Sequence, residues 1–351
     1  MIGHPWALVG GAFGSTLLLT VLLRRWLIAR RLLDHPNERS SHSVPVPRGG
    51  GIAFVAVTCG GMLAASASGA VPPSFAAAAI ATLCVAGIGF VDDVRGSSPA
   101  VRLLVHIACA ALAMRAPASE IAEHLQWGTA SHALLLVVLA VASAWCVNMF
   151  NFMDGIDGIA AMEGTFVLTA AGGIALLCGT SIAPETGPGW GFIAAGAAVA
   201  GFLAVNVSRW RIFMGDAGSG SLGLLAAWAL ATCASTGLVD PWAALMLPAC
   251  FAADACSTLL IRLIRGESPT TAHRTHAYQR INRRGAGHGT VTMGYAAINL
   301  CIVLPSALAV QQGVVDGPLA YFALHGILVI AAFAMGAGRE PTGTAAKDPR
   351  T

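Results

Sequence analysis

Charge is what this sequence has least of. Only 11% of its 351 residues are Asp, Glu, Lys or Arg, against roughly 25% in an average soluble domain. Aromatic side chains are thin as well, with three Tyr in the whole chain. The nine cysteines (59, 84, 109, 146, 178, 233, 250, 256 and 301) contain no CxxC pair, and all fall within or at the ends of apolar runs. That excludes a thiolate metal site and a disulfide framework, and leaves small buried hydrophobes. There is no soluble domain, linker or low-complexity tract before Gly338.

What fills the chain is apolar. It is 56% hydrophobic, with 41 Gly and a mean hydropathy of +0.71. Runs close to the roughly 20 residues that span a bilayer recur from end to end. They predict eleven spans, near 6–23, 50–68, 73–91, 101–115, 131–149, 159–178, 190–207, 219–236, 241–262, 291–311 and 318–337, with 101–115 the shortest. The first run lacks an upstream basic segment and a small-residue cleavage site, so it reads as a span and not as a signal peptide. The expected fold is an all-α integral membrane protein. Residues 1–338 are expected to form one polytopic domain and 339–351 a disordered tail.

Basic residues set the orientation. With these spans, 19 of the 20 Lys and Arg residues fall on one side, and Arg115 alone lies opposite. By the positive-inside rule that side is cytoplasmic and the N-terminus is outside. The net charge of +3 therefore reports topology and gives no footprint for nucleic acid.

Five polar stretches share the inward face. Asn148–Gly158, reading NMFNFMDGIDG, sets Asp154 and Asp157 three apart, so that a helical turn would project both carboxylates to one side. Leu33–Gly51 is broken by Pro36, Pro45 and Pro47 and ends on Gly49–Gly51, whose backbone amides are expected to be exposed. Phe90–Gly96 carries Asp92 and Asp93, Arg209–Gly223 carries Asp216, and Arg265–Gly285 carries His273 and His276 among arginines. An acid at bilayer depth is costly, so such residues belong at an interface or a polar cavity. Clustered carboxylates without cysteine favour Mg²⁺ or Mn²⁺ over zinc, and arginines and histidines beside them suit phosphate or diphosphate. The arrangement suits phosphoryl transfer between a soluble nucleotide and a membrane-held acceptor.

The combination Asp34-His-Pro-Asn37-Glu-Arg39-Ser-Ser-His42, Asp92-Asp93, Asn148-x-x-Asn151-x-x-Asp154-Gly-x-Asp157-Gly, Phe213-Met-Gly-Asp216-x-Gly-Ser219 and His273-Arg-x-His276 resembles the polyprenyl-phosphate N-acetylhexosamine-1-phosphate transferase family, glycosyltransferase family 4. The resemblance covers about residues 30–285. It implies transfer of a sugar-1-phosphate from a UDP-amino sugar to undecaprenyl phosphate in the bacterial inner membrane, with release of UMP, and it allows a homodimer.

By motif position it implies Asp216 as a Mg²⁺ ligand with Asp93 beside it. Asp92 becomes a base or phosphate-positioning group, and His276 lies against the diphosphate. Asn148, Asn151, Asp154, Asp157, Phe213, His273, Arg274, Arg39 and His42 are implied on the substrate side, with Asn151 and Asp154 at the uridine, Phe213 at the uracil and Asp157 ordering the loop. Asp254 also matches a family position, and equally suits a buried partner for Arg262.

Two positions depart from the pattern. Ala-Tyr-Gln-Arg follows His276 where many relatives carry further histidines, and His106 stands where relatives often have Gln. The first points to the branch that initiates O-antigen lipid intermediates. The alternatives are the phospho-muramoyl-pentapeptide branch and, in another class, a polytopic transporter. Direct attack by the lipid phosphate and a covalent aspartyl-phosphate route both remain open.

Overall fold

The computed structural model describes residues 5–31, 33–34, 45–178, 188–268 and 274–339. Nearly all of them are helical, as expected of a chain whose backbone polar groups must be satisfied internally in lipid. The first eight helices are α1 Pro5–Ala29, α2 Ile52–Ala67, α3 Pro73–Arg95, α4 Pro99–His124, α5 Thr129–Met153, α6 Ile159–Cys178, α7 Pro188–Asn206 and α8 Asp216–Ser235. There follow α9 Pro241–Met246, α10 Ala249–Ile264, α11 Ala277–Arg283, α12 His288–Ile298, α13 Leu304–Gln311 and α14 Gly317–Met335. The only strands among the described residues are the two-residue pair β1 Leu33–Asp34 and β2 Val46–Pro47, antiparallel.

The chain is an integral membrane protein of the all-α class, and each of the eleven expected segments is helical. Among the described residues nine helices are long and apolar enough to cross a membrane, counting α12 to α13 as one. The other two segments are the shorter α2 and the pair α9–α10. The predicted span 241–262 breaks at Leu247–Pro248, because Pro248 offers no N–H and its ring disfavours helix in the residue before it. The run at 101–115 is not the shortest: α4 extends it to 26 residues, the longest helix described. Arg115, Glu120 and Glu123 dilute its hydropathy, yet Ala113, Met114, Pro117 and Ala118 bury one face.

The helix α8 is the most enclosed of the spans. Helices in lipid gain little from hydrophobicity against one another, so small residues that let backbones approach decide their packing. A Cβ at Gly89 of α3 would stand 2.6 Å from the backbone of Asp216 and Ala217, and one at Gly223 of α8 would stand 2.6 Å from the Cys146 carbonyl of α5. The N-terminus of α8 is thus pressed against the end of α3, and its second turn against α5. Between α12 and α13 the helix widens into a π-helical turn, Asn299–Val303. There the Asn299 amide donates to Glu163 of α6 at 2.5 Å, with both residues fully buried.

Candidate active site

The first residue of α8 is Asp216, and the first amides of a helix have no partner within it. Two of them are accepted by Asp93 from the last turn of α3: the Asp216 N–H at 3.0 Å and the Ala217 N–H at 3.2 Å. Gly215 makes the approach feasible, since its φ of 75° suits glycine and a Cβ there would sit 2.5 Å from Asp93 Oδ2. Arg48, directly after β2, bridges the two acids, with Nε 2.8 Å from Asp93 Oδ1 and Nη2 2.6 Å from Asp216 Oδ1. Arg102 of α4 pairs with Asp92 and reaches Asp216 Oδ2 at 3.5 Å. Asp92 also accepts the Ser97 N–H at 2.6 Å and the Ser97 hydroxyl at 2.7 Å, closing the α3–α4 corner.

The loop before α2 is tied to the loop before α8. Phe213 N–H donates to Pro47 O at 2.8 Å, and the Phe213 carbonyl accepts Gly49 N–H at 3.1 Å and Gly50 N–H at 2.8 Å. Gly51 N–H donates to Met214 O at 3.0 Å. The expectation of exposed Gly49–Gly51 amides is therefore overturned, because a carbonyl of the neighbouring loop takes each one. Phe213 itself is half-buried.

The stretch Asn148–Gly158 leaves its helix early. Helix α5 ends at Met153, and Asp154 caps it with φ −89° and ψ 46°. Asp154 and Asp157 therefore do not share a helical turn, contrary to the spacing argument. Asp154 is half-buried. Burial pushes its carboxyl well above the usual carboxylate range. Asp216, and then Asp93 and Asp157, push the same way, and Arg48 opposes them.

Asp157 instead pairs with Arg211 at 3.1 Å and with His288 Nδ1 at 3.0 Å, while Gly158 N–H donates to Asn206 Oδ1 at 2.7 Å. Asn151 Nδ2 donates to Ser219 Oγ of α8 at 3.1 Å, and Asn148 Nδ2 to Ala144 O within α5 at 2.7 Å.

The last polar stretch docks from below. His276 is buried, with Nδ1 3.4 Å from Asp254 Oδ1, and its ring lies between Phe152 and Tyr278 at centroid distances of 6.3 and 5.8 Å. Asp254 is no partner of Arg262, which pairs with Glu267 at 2.9 Å. Arg274 is half-buried beside this group. Arg39, His42 and His273 lie outside the described residues. His106 is buried in α4, within electrostatic reach of Arg102 and Asp92.

Against known proteins, the family model for glycosyl transferase family 4 matches residues 75–234. The chain is similar to that family over those residues, which hold the motifs at Asp92, Asp154 and Asp216. It is 29% identical to the decaprenyl-phosphate N-acetylglucosaminephosphotransferase of Mycobacterium tuberculosis (strain CDC 1551 / Oshkosh), over 76% of this chain and 73% of that one. It is 29% identical to the undecaprenyl-phosphate alpha-N-acetylglucosaminyl 1-phosphate transferase of Yersinia pestis, over 82% and 78%. The enzyme of that name from Escherichia coli (strain K12) is 28% identical over 80% and 76%. The matched region contains the acid cluster, whereas Asp254, His276 and Tyr278 lie beyond it.

Among the described residues no group of three or more His, Cys, Asp or Glu side chains is arranged to enclose a cation. Mg²⁺ does not need one, because it keeps much of its water and takes one or two carboxylates plus substrate phosphates. Asp93 is engaged by α8 and Arg48 through both oxygens. The charge of Asp216 reaches Asp154 and, after burial, helps to raise its carboxyl. That all-oxygen pair fits such an ion. Sequence reading passed over Arg102, Arg211 and Tyr278 as site residues, and missed His288 altogether. Arg48 had one usable signal, its place directly before three glycines between two site loops.

Proposed function

We propose that this chain transfers N-acetylhexosamine-1-phosphate from a UDP-sugar to undecaprenyl phosphate, releasing UMP and leaving the sugar on undecaprenyl diphosphate. The reading is carried by the cluster of Asp92, Asp93 and Asp216 with Arg48 and Arg102, at one end of a membrane bundle. The names of the relatives support it, since those proteins act on polyprenyl phosphates and an N-acetylglucosamine phosphate. The basic asymmetry supports a cytoplasmic site in the bacterial inner membrane, with the N-terminus periplasmic. The Ala-Tyr-Gln-Arg ending favours a surface glycan such as O-antigen over peptidoglycan.

In this reaction an oxygen of the lipid phosphate bonds to the β-phosphorus of the UDP-sugar, the α–β bridging P–O bond breaks, and its electrons leave with UMP. A phosphate monoester is already an anion near neutral pH, so Asp92 need only complete its ionisation. The harder step is bringing two anions together. Arg48 and Arg102 supply planar guanidinium forks suited to phosphate oxygens. Mg²⁺ or Mn²⁺, held by Asp216 with Asp154 or substrate oxygens, would neutralise charge on the diphosphate. Asn151, Asp154 and Phe213 would orient the uridine. His276 and Arg274, with His273, Arg39 and His42, would serve the diphosphate and the lipid phosphate.

The test is transfer of radiolabel into an organic-soluble lipid by the purified full chain. Label should move from a UDP-N-acetylhexosamine and not from UDP-muramyl-pentapeptide. Label from the pentapeptide would favour the peptidoglycan branch, and no labelled lipid with any UDP-sugar would favour a transporter.

A further inference from the structure

A helix leaves its last carbonyls without partners. In α5 one of these, Phe152 O, accepts the Tyr278 hydroxyl at 2.9 Å. The same hydroxyl hydrogen-bonds the backbone of Gly155. One oxygen therefore spans the turn in which Met153 and Asp154 leave the helix, with Asn151 one residue before it. No slack remains, because a Cβ on Gly155 would fall on that hydroxyl and 3.2 Å from Gln279 Nε2.

Tyr278 has no freedom of its own. It is fully buried in α11, a helix of seven residues, far too short to hold itself. What holds α11 is Asp254 in α10, which accepts Ala277 N–H at 2.8 Å and Tyr278 N–H at 3.1 Å. Asp254 is itself fixed by Thr258 Oγ1 at 3.2 Å and Tyr295 Oη at 2.8 Å. A buried carboxylate is costly and is tolerated when every oxygen is satisfied. This one is satisfied by binding the segment that carries Tyr278.

We propose that Tyr278 is a positioning residue, which sets the turn holding Asn151 and Asp154 from the anchored carboxylate of Asp254. The inference rests on the reading above that Asn151 and Asp154 meet the donor nucleotide.

The test uses the full chain in lipid nanodiscs and three variants: Tyr278→Phe, Gly155→Ala and Tyr295→Phe. Tyr278→Phe keeps the ring and removes the clamp, and Gly155→Ala dislodges the hydroxyl from the other side. Tyr295→Phe weakens the seat of Asp254 without touching the turn. Expected are faster amide exchange in 151–158 for the first two variants and a donor KM raised about five- to tenfold, the weight of one hydrogen bond. Their kcat and acceptor KM should stay within about twofold. Tyr295→Phe should lower the melting temperature and raise donor KM less than either of them, because Thr258 still holds Asp254.

Unchanged exchange in 151–158 for both Tyr278→Phe and Gly155→Ala overturns the proposal. So does faster exchange with an unchanged donor KM, or an equal rise in donor KM for Tyr295→Phe. A wild type inert with every UDP-sugar sinks the transferase reading instead, and the exchange measurement then still decides whether the clamp exists.

Discussion

Asp93 accepts the backbone amide of Asp216 at 3.0 Å, so the carboxylate that ends α3 caps the helix on which the second carboxylate stands. The two acids therefore have different work. Asp93 fixes the start of α8, and Asp216 presents its side chain to Arg48, Arg102 and the space beyond.

Asp93→Ala should accordingly act first on stability. Losing a helix cap costs about 0.5–2 kcal/mol, and here Arg48 also loses a partner. Asp93→Asn keeps one acceptor oxygen and should retain measurable transfer with a smaller fall in melting temperature. Thermal unfolding in detergent beside kcat checks both. Equal loss of activity in the two variants at wild-type stability would mean that Asp93 acts on substrate or metal directly.

Asp216→Asn should leave the protein inserted, with α8 still capped by Asp93, and remove nearly all transfer. Several kcal/mol of electrostatic stabilisation is at stake in such a group. EDTA should silence the wild type, and Mg²⁺ or Mn²⁺ should restore it. Near-normal, metal-dependent activity in the Asn variant would move the ligand role to Asp92 or Asp154.

Asp154 makes a pH prediction of definite sign. Its carboxyl is raised in the folded protein, by burial first and then by Asp216. Below about pH 4 both folded and unfolded forms are protonated, and the acid makes no difference. As pH rises, the unfolded chain ionises first, so stability falls through the window between the two pKa values. Asp154→Asn should therefore melt higher than the wild type at pH 7–8, and the gap should close on titration to pH 4, while transfer drops. A gap that widens on acidification would contradict the assignment.

For the orientation, single cysteines at exposed Arg95, Arg209 and Arg283, in a background without native cysteines, should react with a membrane-impermeant thiol reagent only after permeabilisation. A cysteine at exposed Trp127, between α4 and α5, should react in intact cells. The reverse pattern would invert the topology.

Hydropathy alone made the bundle legible, because a bilayer allows few alternatives to long apolar helices. Asp92, Asp93 and Asp216 were legible for the same reason, since acids are conspicuous in such a chain. Their division of labour was not. That Asp93 caps α8 depends on a contact across 123 residues, and that His288 holds Asp157 on one across 131. The Gly49–Gly51 amides looked available because sequence shows a donor and not the carbonyl lying over it. Asp254 was left evenly between a family position and a pairing with Arg262, because its long-range partners arrive from α11 and α12.

The Asn299–Glu163 bond bears on what in this protein can move. Both groups lie in the bundle interior, where no water stands ready to replace a lost partner. Sliding or turning α12–α13 past α6 by even a fraction of a turn would strand a carboxyl and an amide together. The pair therefore works as a register pin, set where the π-helical turn spaces the backbone to fit it. Conformational adjustment on ligand binding is thus pushed out of the spans and into the connecting segments at their ends. Spectroscopic probes on α6 and α13 should stay still through a turnover that moves probes on the loops.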